Sequence, residues 1–98
     1  MSNWQTQTAA WRAEVQDWHP TPGPKSSIDY MVTEAAECLD AALRLLLPQH
    51  DRTNGKRPDI GRELAQVIDM ACTAATGYHI DLEAEIAEWQ DVVRGRQP

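Results

Sequence analysis

Acidic side chains lie within otherwise apolar, Ala-rich stretches of this 98-residue sequence. Glu34 and Glu37 occur in VTEAAECLDAAL, and Glu63 occurs in GRELAQVIDMA. Residues three apart in an α-helix project from the same side, so Glu34 and Glu37 lie side by side and repel one another. Solvent or a cation can offset that repulsion. If Glu63 comes from an antiparallel neighbouring helix, three carboxylates can converge on a hard ion such as Mg²⁺, which prefers oxygen ligands and suits phosphate chemistry.

Spacing alone leaves a second interpretation of these acids open. The E-x-x-E pattern is common on the solvent-exposed faces of helices, where the carboxylates are simply hydrated. Asp40 continues the row three residues after Glu37 and is either a surface acid or a further ligand.

The two acidic segments together resemble the MazG-like, all-α nucleoside triphosphate pyrophosphatases, which carry E-x-x-E and, after a variable gap, E-x-x-D. E-A-A-E spans Glu34 to Glu37, E-L-A-Q spans Glu63 to Gln66, and the resemblance covers residues 28–88. It implies that Glu34, Glu37, Glu63 and Gln66 hold Mg²⁺, with Mn²⁺ as an alternative ion. It also implies hydrolysis of a nucleoside triphosphate to the monophosphate and pyrophosphate, with Glu34 or Glu37 acting on the attacking water.

Gln66 departs from this pattern because it stands where the family has Asp. An amide oxygen can bind a metal, but it brings no charge and cannot act as a base. Either the fourth ligand is weakened, or catalysis is lost, or Asp69 substitutes, although Asp69 lies about 120° around the helix from Glu63. The alternatives to an enzyme are therefore a catalytically impaired module that binds nucleotide or metal, and a structural oligomerisation protein.

Charge and hydropathy exclude some classes of partner. With 9 Lys and Arg against 15 Asp and Glu, the net charge is −6, which argues against a nucleic acid polymer or an anionic membrane as a partner. The sequence has no run of 18 apolar residues, and its first residues lack the basic-then-apolar order of a signal peptide. We therefore expect a cytoplasmic protein.

Helical periodicity dominates the chain and predicts four helices with no strand. They cover residues 3–18, 28–47, 59–76 and 82–94, with Ser26 or Ser27 and Asp81 as N-caps and Gly77 as a C-cap. The fold class is accordingly all-α. We predict one domain over residues 1–98, a small antiparallel four-helix bundle of the MazG-like type.

The apolar residues of the second helix, including Leu45 and Leu47, cover more of its circumference than one packed face requires, so an oligomer interface is expected on residues 28–47 or on the first helix. The predicted inward face of the second helix is itself rich in large apolar residues. It includes Val32, Leu39, Leu43 and Leu46. A chain this short buries only about 60–65% of its unfolded surface, so a partner chain would add to a marginal core. We therefore expect a homo-oligomer, either a dimer or a tetramer.

Two further groups of residues could bind a substrate. Lys25 and Arg57, in loops that also hold Arg52 and Lys56, could neutralise triphosphate oxygens, or could be solvated surface charges. Trp11 and Trp18 belong to a stripe that could stack on a nucleobase, or could form core or subunit interface.

The remaining reactive side chains suggest no chemistry of their own. Cys38 and Cys72 lack metal-binding spacing and are expected to be buried, reduced thiols, with a redox disulfide as the alternative. The three histidines, His19, His50 and His79, share no spacing that favours a metal site or a catalytic triad.

Overall fold

The structure is a computed structural model that describes residues 3–46 and 59–96. These residues form four helices and no strand, which confirms the predicted all-α class. The helices are α1 (Trp4–Val15), α2 (Pro24–Leu45), α3 (Ile60–Gly77) and α4 (Leu82–Arg94). Within the described ranges, no helix is both long and apolar enough to cross a membrane.

Side-chain caps begin three of the helices. Asn3, Asp59 and Asp81 precede α1, α3 and α4, and each accepts a hydrogen bond from a backbone N–H three residues later, at 2.8, 2.9 and 3.1 Å respectively. Such a cap satisfies one of the N–H groups that the first turn leaves without an intrahelical acceptor. The predicted cap Asp81 is confirmed.

The start of α2 differs from the prediction. The helix begins at Pro24, with Gly23 as its N-cap, rather than at residue 28. Proline is well placed in a first turn, because the N–H that it lacks would have no intrahelical acceptor there. Ser26 and Ser27 are therefore not caps. Ser27 is fully buried one turn into the helix, and its hydroxyl donates to the Gly23 carbonyl at 2.9 Å.

The end of α3 packs against the start of α2. Gly77 is the last residue of α3 and Tyr78 is its C-cap, one residue beyond the predicted position. A Cβ on Gly77 would lie 2.8 Å from Cβ of Pro24, closer than two carbon atoms can approach without a shift. The absence of a side chain at residue 77 thus lets the two helices meet here. The chain then turns through His79, whose φ is 59°.

The core is small and lies mainly between α2 and α3, with α1 packed on α3. The buried apolar residues are Val15, Ala41, Met70, Cys72, Ala74 and Ala75. Gln5 joins α1 to the turn between α3 and α4, since its amide donates to the Ile80 carbonyl at 2.7 Å and accepts from the Leu82 N–H at 2.8 Å. No residue of α4 is buried.

Several apolar residues predicted to face inward are exposed. Val32, Leu39, Leu43 and Leu46 of α2 are all open to solvent. Leu64 and Ile68, which the apolar spacing of the third helix also predicts to face inward, are exposed as well. Helix α1 also ends at Val15 rather than residue 18. Both cysteines are free thiols, but only Cys72 is buried, while Cys38 is half-buried. The described helices thus carry more large apolar residues than the small core buries.

Candidate functional site

The three predicted carboxylates lie together where α2 faces α3. One oxygen each from Glu34, Glu37 and Glu63 lies within 4.8 Å of the other two. Glu34 and Glu63 are half-buried and Glu37 is exposed. Glu34 and Glu37 share a side of α2 because they are one turn apart, and the packing of α2 on α3 brings Glu63 to them.

Gln66 lies within the same group of side chains. An amide oxygen facing two carboxylate oxygens would be repelled, so the amide presents its nitrogen to them. In that orientation Nε2 donates to Oε2 of Glu63 at 3.0 Å and to Oε2 of Glu34 at 2.9 Å. The neutral amide therefore joins an acid on α2 to an acid on α3.

Glu34 has a raised pKa. Burial is the largest cause, because it disfavours the charged carboxylate, and the charge of Glu37 is the next. A hydrogen bond with Glu37 and the charges of Glu63 and Asp69 act in the same direction. A cation entering the site would oppose all of these charge repulsions.

The donor set is chemically suited to a hard divalent ion. An octahedral Mg²⁺ site has metal–oxygen distances near 2.1 Å, so ligand oxygens on opposite sides are about 4.2 Å apart. The three carboxylate oxygens, which lie within 4.8 Å of one another, are close enough for one such ion to draw on all three. Gln66 could add an oxygen only by turning its amide over.

Two cavities adjoin the acidic group, and Gln66 and Asp69 line both. The first, of about 500 Å³, is bordered by α1 and α3 and is lined by Trp4, Trp11 and Arg62 among others. The second, of about 430 Å³, includes Arg12, His19, Tyr30 and Glu34. A ligand in either cavity would lie next to the Gln66 amide.

Comparisons with known proteins add no relative. No family model, curated protein or solved structure matches this chain. The resemblance to the MazG-like enzymes thus rests on the acidic pairs and the apolar residues around them.

The predicted substrate-binding residues do not lie together in the structure. Trp11 lines the first cavity together with Gln66. Trp18 is 74% exposed and lines neither cavity, and its ring lies 6.0 Å from that of His19. Lys25 also lines neither cavity. Arg57, with Arg52 and Lys56, falls outside the described residues.

Lys25 and Asp40 each have a partner on α2. The Lys25 ammonium group lies 2.7 Å from an Asp29 oxygen, and this hydrogen bond is the largest cause of its raised pKa. Asp40 pairs with Arg44 at 3.0 Å. Both contacts join residues four apart on one helix, which is typical of surface ion pairs.

Asp69 is held by Arg12, which sequence reasoning missed. Nη2 of Arg12 donates to Oδ2 of Asp69 at 2.6 Å, and Nε donates to Oδ1 at 3.2 Å. The Thr73 hydroxyl also donates to Oδ1, at 3.3 Å. The Arg12 side chain is only 6% exposed and that of Asp69 is 24% exposed. Asp69 thus joins α3 to α1. Its carboxylate oxygens already accept hydrogen bonds from Arg12 and Thr73.

The sequence carried signals for some of the missed cavity residues. Tyr30 precedes Glu34 by four residues, and Arg62 precedes Gln66 by four, so each shares a helical face with a site residue. His19 carried no such signal, because it reaches the second cavity from the segment between α1 and α2.

Proposed function

We propose that this chain is a Mg²⁺-dependent nucleoside triphosphate pyrophosphohydrolase of the MazG-like type, which releases the monophosphate and pyrophosphate. The observation that carries the proposal is the convergence of Glu34, Glu37 and Glu63, from two helices distant in sequence, within 4.8 Å of one another. Carboxylates at that separation repel unless a cation or protons intervene, and a triphosphate substrate arrives with a divalent ion.

The roles of the side chains follow from their exposure. Glu34 and Glu63 are half-buried and suited to holding the ion, which when bound would neutralise phosphate charge and lower the pKa of a coordinated water. Glu37 is exposed, so it can orient or deprotonate the attacking water, with Glu34 as the other candidate for that role. Gln66 could contribute its amide oxygen as a neutral ligand.

The substrate would extend from the acids into a neighbouring cavity. Trp11 offers an aromatic face in the first cavity, where a nucleobase could stack. The guanidinium group of Arg12 lies 5.0 Å from the centre of the Trp11 ring and helps to fix it. We retain Lys25 and Arg57 as phosphate-binding residues, and Lys25 would have to leave Asp29. Trp18, away from the cavity, is the weaker stacking candidate.

The proposal also covers the oligomeric state of the protein and the cellular compartment in which it acts. The enzyme would be an antiparallel MazG-like bundle completed by association into a homodimer or tetramer. Nucleoside triphosphates are made and consumed in the cytoplasm, so we expect it to act there.

The decisive experiment is product analysis over a panel of nucleoside triphosphates. With Mg²⁺ or Mn²⁺, the wild-type protein should form monophosphate and pyrophosphate, and EDTA should abolish the reaction. Glu37→Gln should lower turnover by about 100-fold or more, the usual contribution of a positioned acid or base. Glu88→Gln on exposed α4 makes the same change away from the site and should leave turnover unchanged. Equal turnover in EDTA, or full activity of Glu37→Gln, would contradict the proposal.

A second candidate function is a non-catalytic module that binds metal or nucleotide. The specific observation in its favour is that the Gln66 amide already satisfies one carboxylate on each helix. Thermal melting separates the alternatives, because a ligand at 100 times its Kd stabilises a protein by about 2.7 kcal/mol. Stabilisation without product formation would indicate the binding module. No shift with either ion, with or without nucleotide, would indicate a purely structural protein.

A further inference from the structure

The position of Gln66 suggests how the site remains stable before an ion arrives. Its amide nitrogen lies between Glu34 and Glu63, at 2.9 and 3.0 Å from one oxygen of each. Both acids are half-buried, so water can hydrate their carboxylate charges only in part. A carboxylate at residue 66 would add a fourth negative charge at this point, whereas an amide supplies two N–H donors.

We propose that the Gln66 amide is a neutral substitute for the cation: it holds Glu34 and Glu63 together while no ion is bound, and it must turn away before an ion can enter. We call the holding of Glu34 and Glu63 by the amide the clamp, and the turning away of the amide before an ion enters the displacement step. The displacement step rests on the proposed function, but the clamp does not. A metal ion would take oxygens from the same two carboxylates that accept hydrogen bonds from Gln66, so the amide and the ion compete for Glu34 and Glu63. In this view Gln66 makes metal binding weaker and the metal-free protein more stable.

The clamp is tested without any metal. In EDTA, Gln66→Glu keeps the size of the side chain but replaces its donors with a third facing carboxylate, so the melting temperature should fall by about 5 °C or more. Gln90→Glu on exposed α4 is the matched control, with the same chemical change and the same added charge. It should melt within about 2 °C of the wild type. Equal melting of the two variants would overturn the clamp.

Gln66→Ala provides a second variant that adds no charge. It removes both hydrogen bonds, so it should also melt below the wild type in EDTA. If Gln66→Glu fails to fold, as judged by its helical circular dichroism, this variant alone decides the clamp. A melting temperature of Gln66→Ala at or above that of the wild type would then overturn it.

The displacement step is tested by calorimetric titration with Mg²⁺ and with Mn²⁺. If the amide competes with the ion, Gln66→Ala should bind at least as tightly as the wild type, and up to about 100-fold more tightly, since each of the two displaced hydrogen bonds is worth up to about tenfold. Weaker binding by the variant would show that Gln66 is a ligand and would overturn the displacement step. If neither protein binds either ion, the displacement step and the proposed function both fail, while the melting measurements still decide the clamp.

Discussion

The raised pKa of Glu34 makes the stability of the metal-free protein depend on pH in an unusual direction. In the unfolded chain this carboxyl should titrate near its ordinary value of 4.5, whereas in the folded protein burial and the charge of Glu37 raise its pKa. Folding therefore favours the protonated form. The contribution of Glu34 to stability is fully present below pH 4.5 and is lost as the pH rises through the raised pKa.

We accordingly expect Glu34→Gln to remove part of the pH dependence of unfolding. In EDTA, as pH rises from about 4 to 7, the melting temperature of the wild type should decline relative to that of the variant, which cannot ionise at this position. Glu88→Gln is the control and should follow the wild type. Parallel curves for the wild type and Glu34→Gln would show that Glu34 titrates as an ordinary exposed acid.

The proximity of site residues was predictable where they lie one turn apart on a helix or on two helices that pack together. The spacing of Glu34 and Glu37, with Glu63 and Gln66 on a facing helix, was enough to predict their proximity. The placement of Lys25 in a loop was wrong. Since α2 begins at Pro24, Lys25 instead lies one turn before Asp29 and pairs with it.

At the scale of helices, the contact between Arg12 and Asp69 fixes α1 on α3. Arg12→Met keeps much of the side-chain volume but leaves the half-buried Asp69 carboxylate without its charged partner. Breaking a buried pair in this way costs about 3 kcal/mol. The matched control is Arg94→Met, since the pair of Arg94 with Asp91 is exposed on both sides and such pairs contribute at most about 1 kcal/mol.

Urea unfolding of the two arginine variants measures this difference. We expect Arg12→Met to shift the midpoint well below that of Arg94→Met, and the double variant Arg12→Met with Asp69→Leu to recover part of the loss. Equal midpoints for the two single variants would mean that the contact between Arg12 and Asp69 does not hold α1 on α3.

The meeting of α2 and α3 at Gly77 gives a second prediction at this scale. An added methyl group would overlap the rigid ring of Pro24, and overpacking of this kind costs about 1–3 kcal/mol. Gly77→Ala should therefore destabilise the protein in a thermal melt, despite the better helix propensity of Ala. In Gly61→Ala the nearest atom to the new Cβ is an Asp59 side-chain oxygen at 3.4 Å, so this control should be neutral or stabilising by up to about 1 kcal/mol. The same stability for both variants would contradict a close contact at Gly77.

The existence of the four helices was predictable because apolar residues recur in each at intervals of three and four. Which face of each helix is buried was harder to predict. In α1 the tryptophans dominate the stripe, yet Trp4 and Trp11 are exposed, and the buried residues of the helix are Arg12 and Val15. The partner that selects this face is Asp69, far away in sequence. Periodicity can locate an apolar stripe, but it cannot show that an ion pair orients the helix.

The molecule as a whole is more open than its length suggests. Its Cα radius of gyration is 16.4 Å, against about 13 Å for a compact domain of this size. Helix α4 buries no residue and exposes Ile86, Trp89, Val92 and Val93. A large exposed apolar surface is typical of an interface with another chain.

The exposed side of α2 has the spacing of a helix-pairing seam. Val32, Ala36, Leu39, Leu43 and Leu46 are all exposed and follow one another at intervals of four and three residues. Such a stripe matches the core positions of a coiled coil, where side chains of one helix pack between those of another. We therefore predict that α2 pairs with a second copy of the chain.

Sedimentation equilibrium at micromolar concentration should thus give a dimer or a tetramer. Leu39→Glu combined with Leu43→Glu places two charges in the seam and should shift the protein toward monomer, because burying unpaired charges opposes association. Val92→Glu combined with Val93→Glu makes the same change on α4, the other exposed apolar surface, and should leave the assembly intact if α2 forms the interface. A monomeric wild type would contradict the prediction of an oligomer. If only the α4 variant dissociates the oligomer, the interface lies on α4 rather than on α2. The apolar stripe of α2 would then be exposed to solvent in the assembly as well.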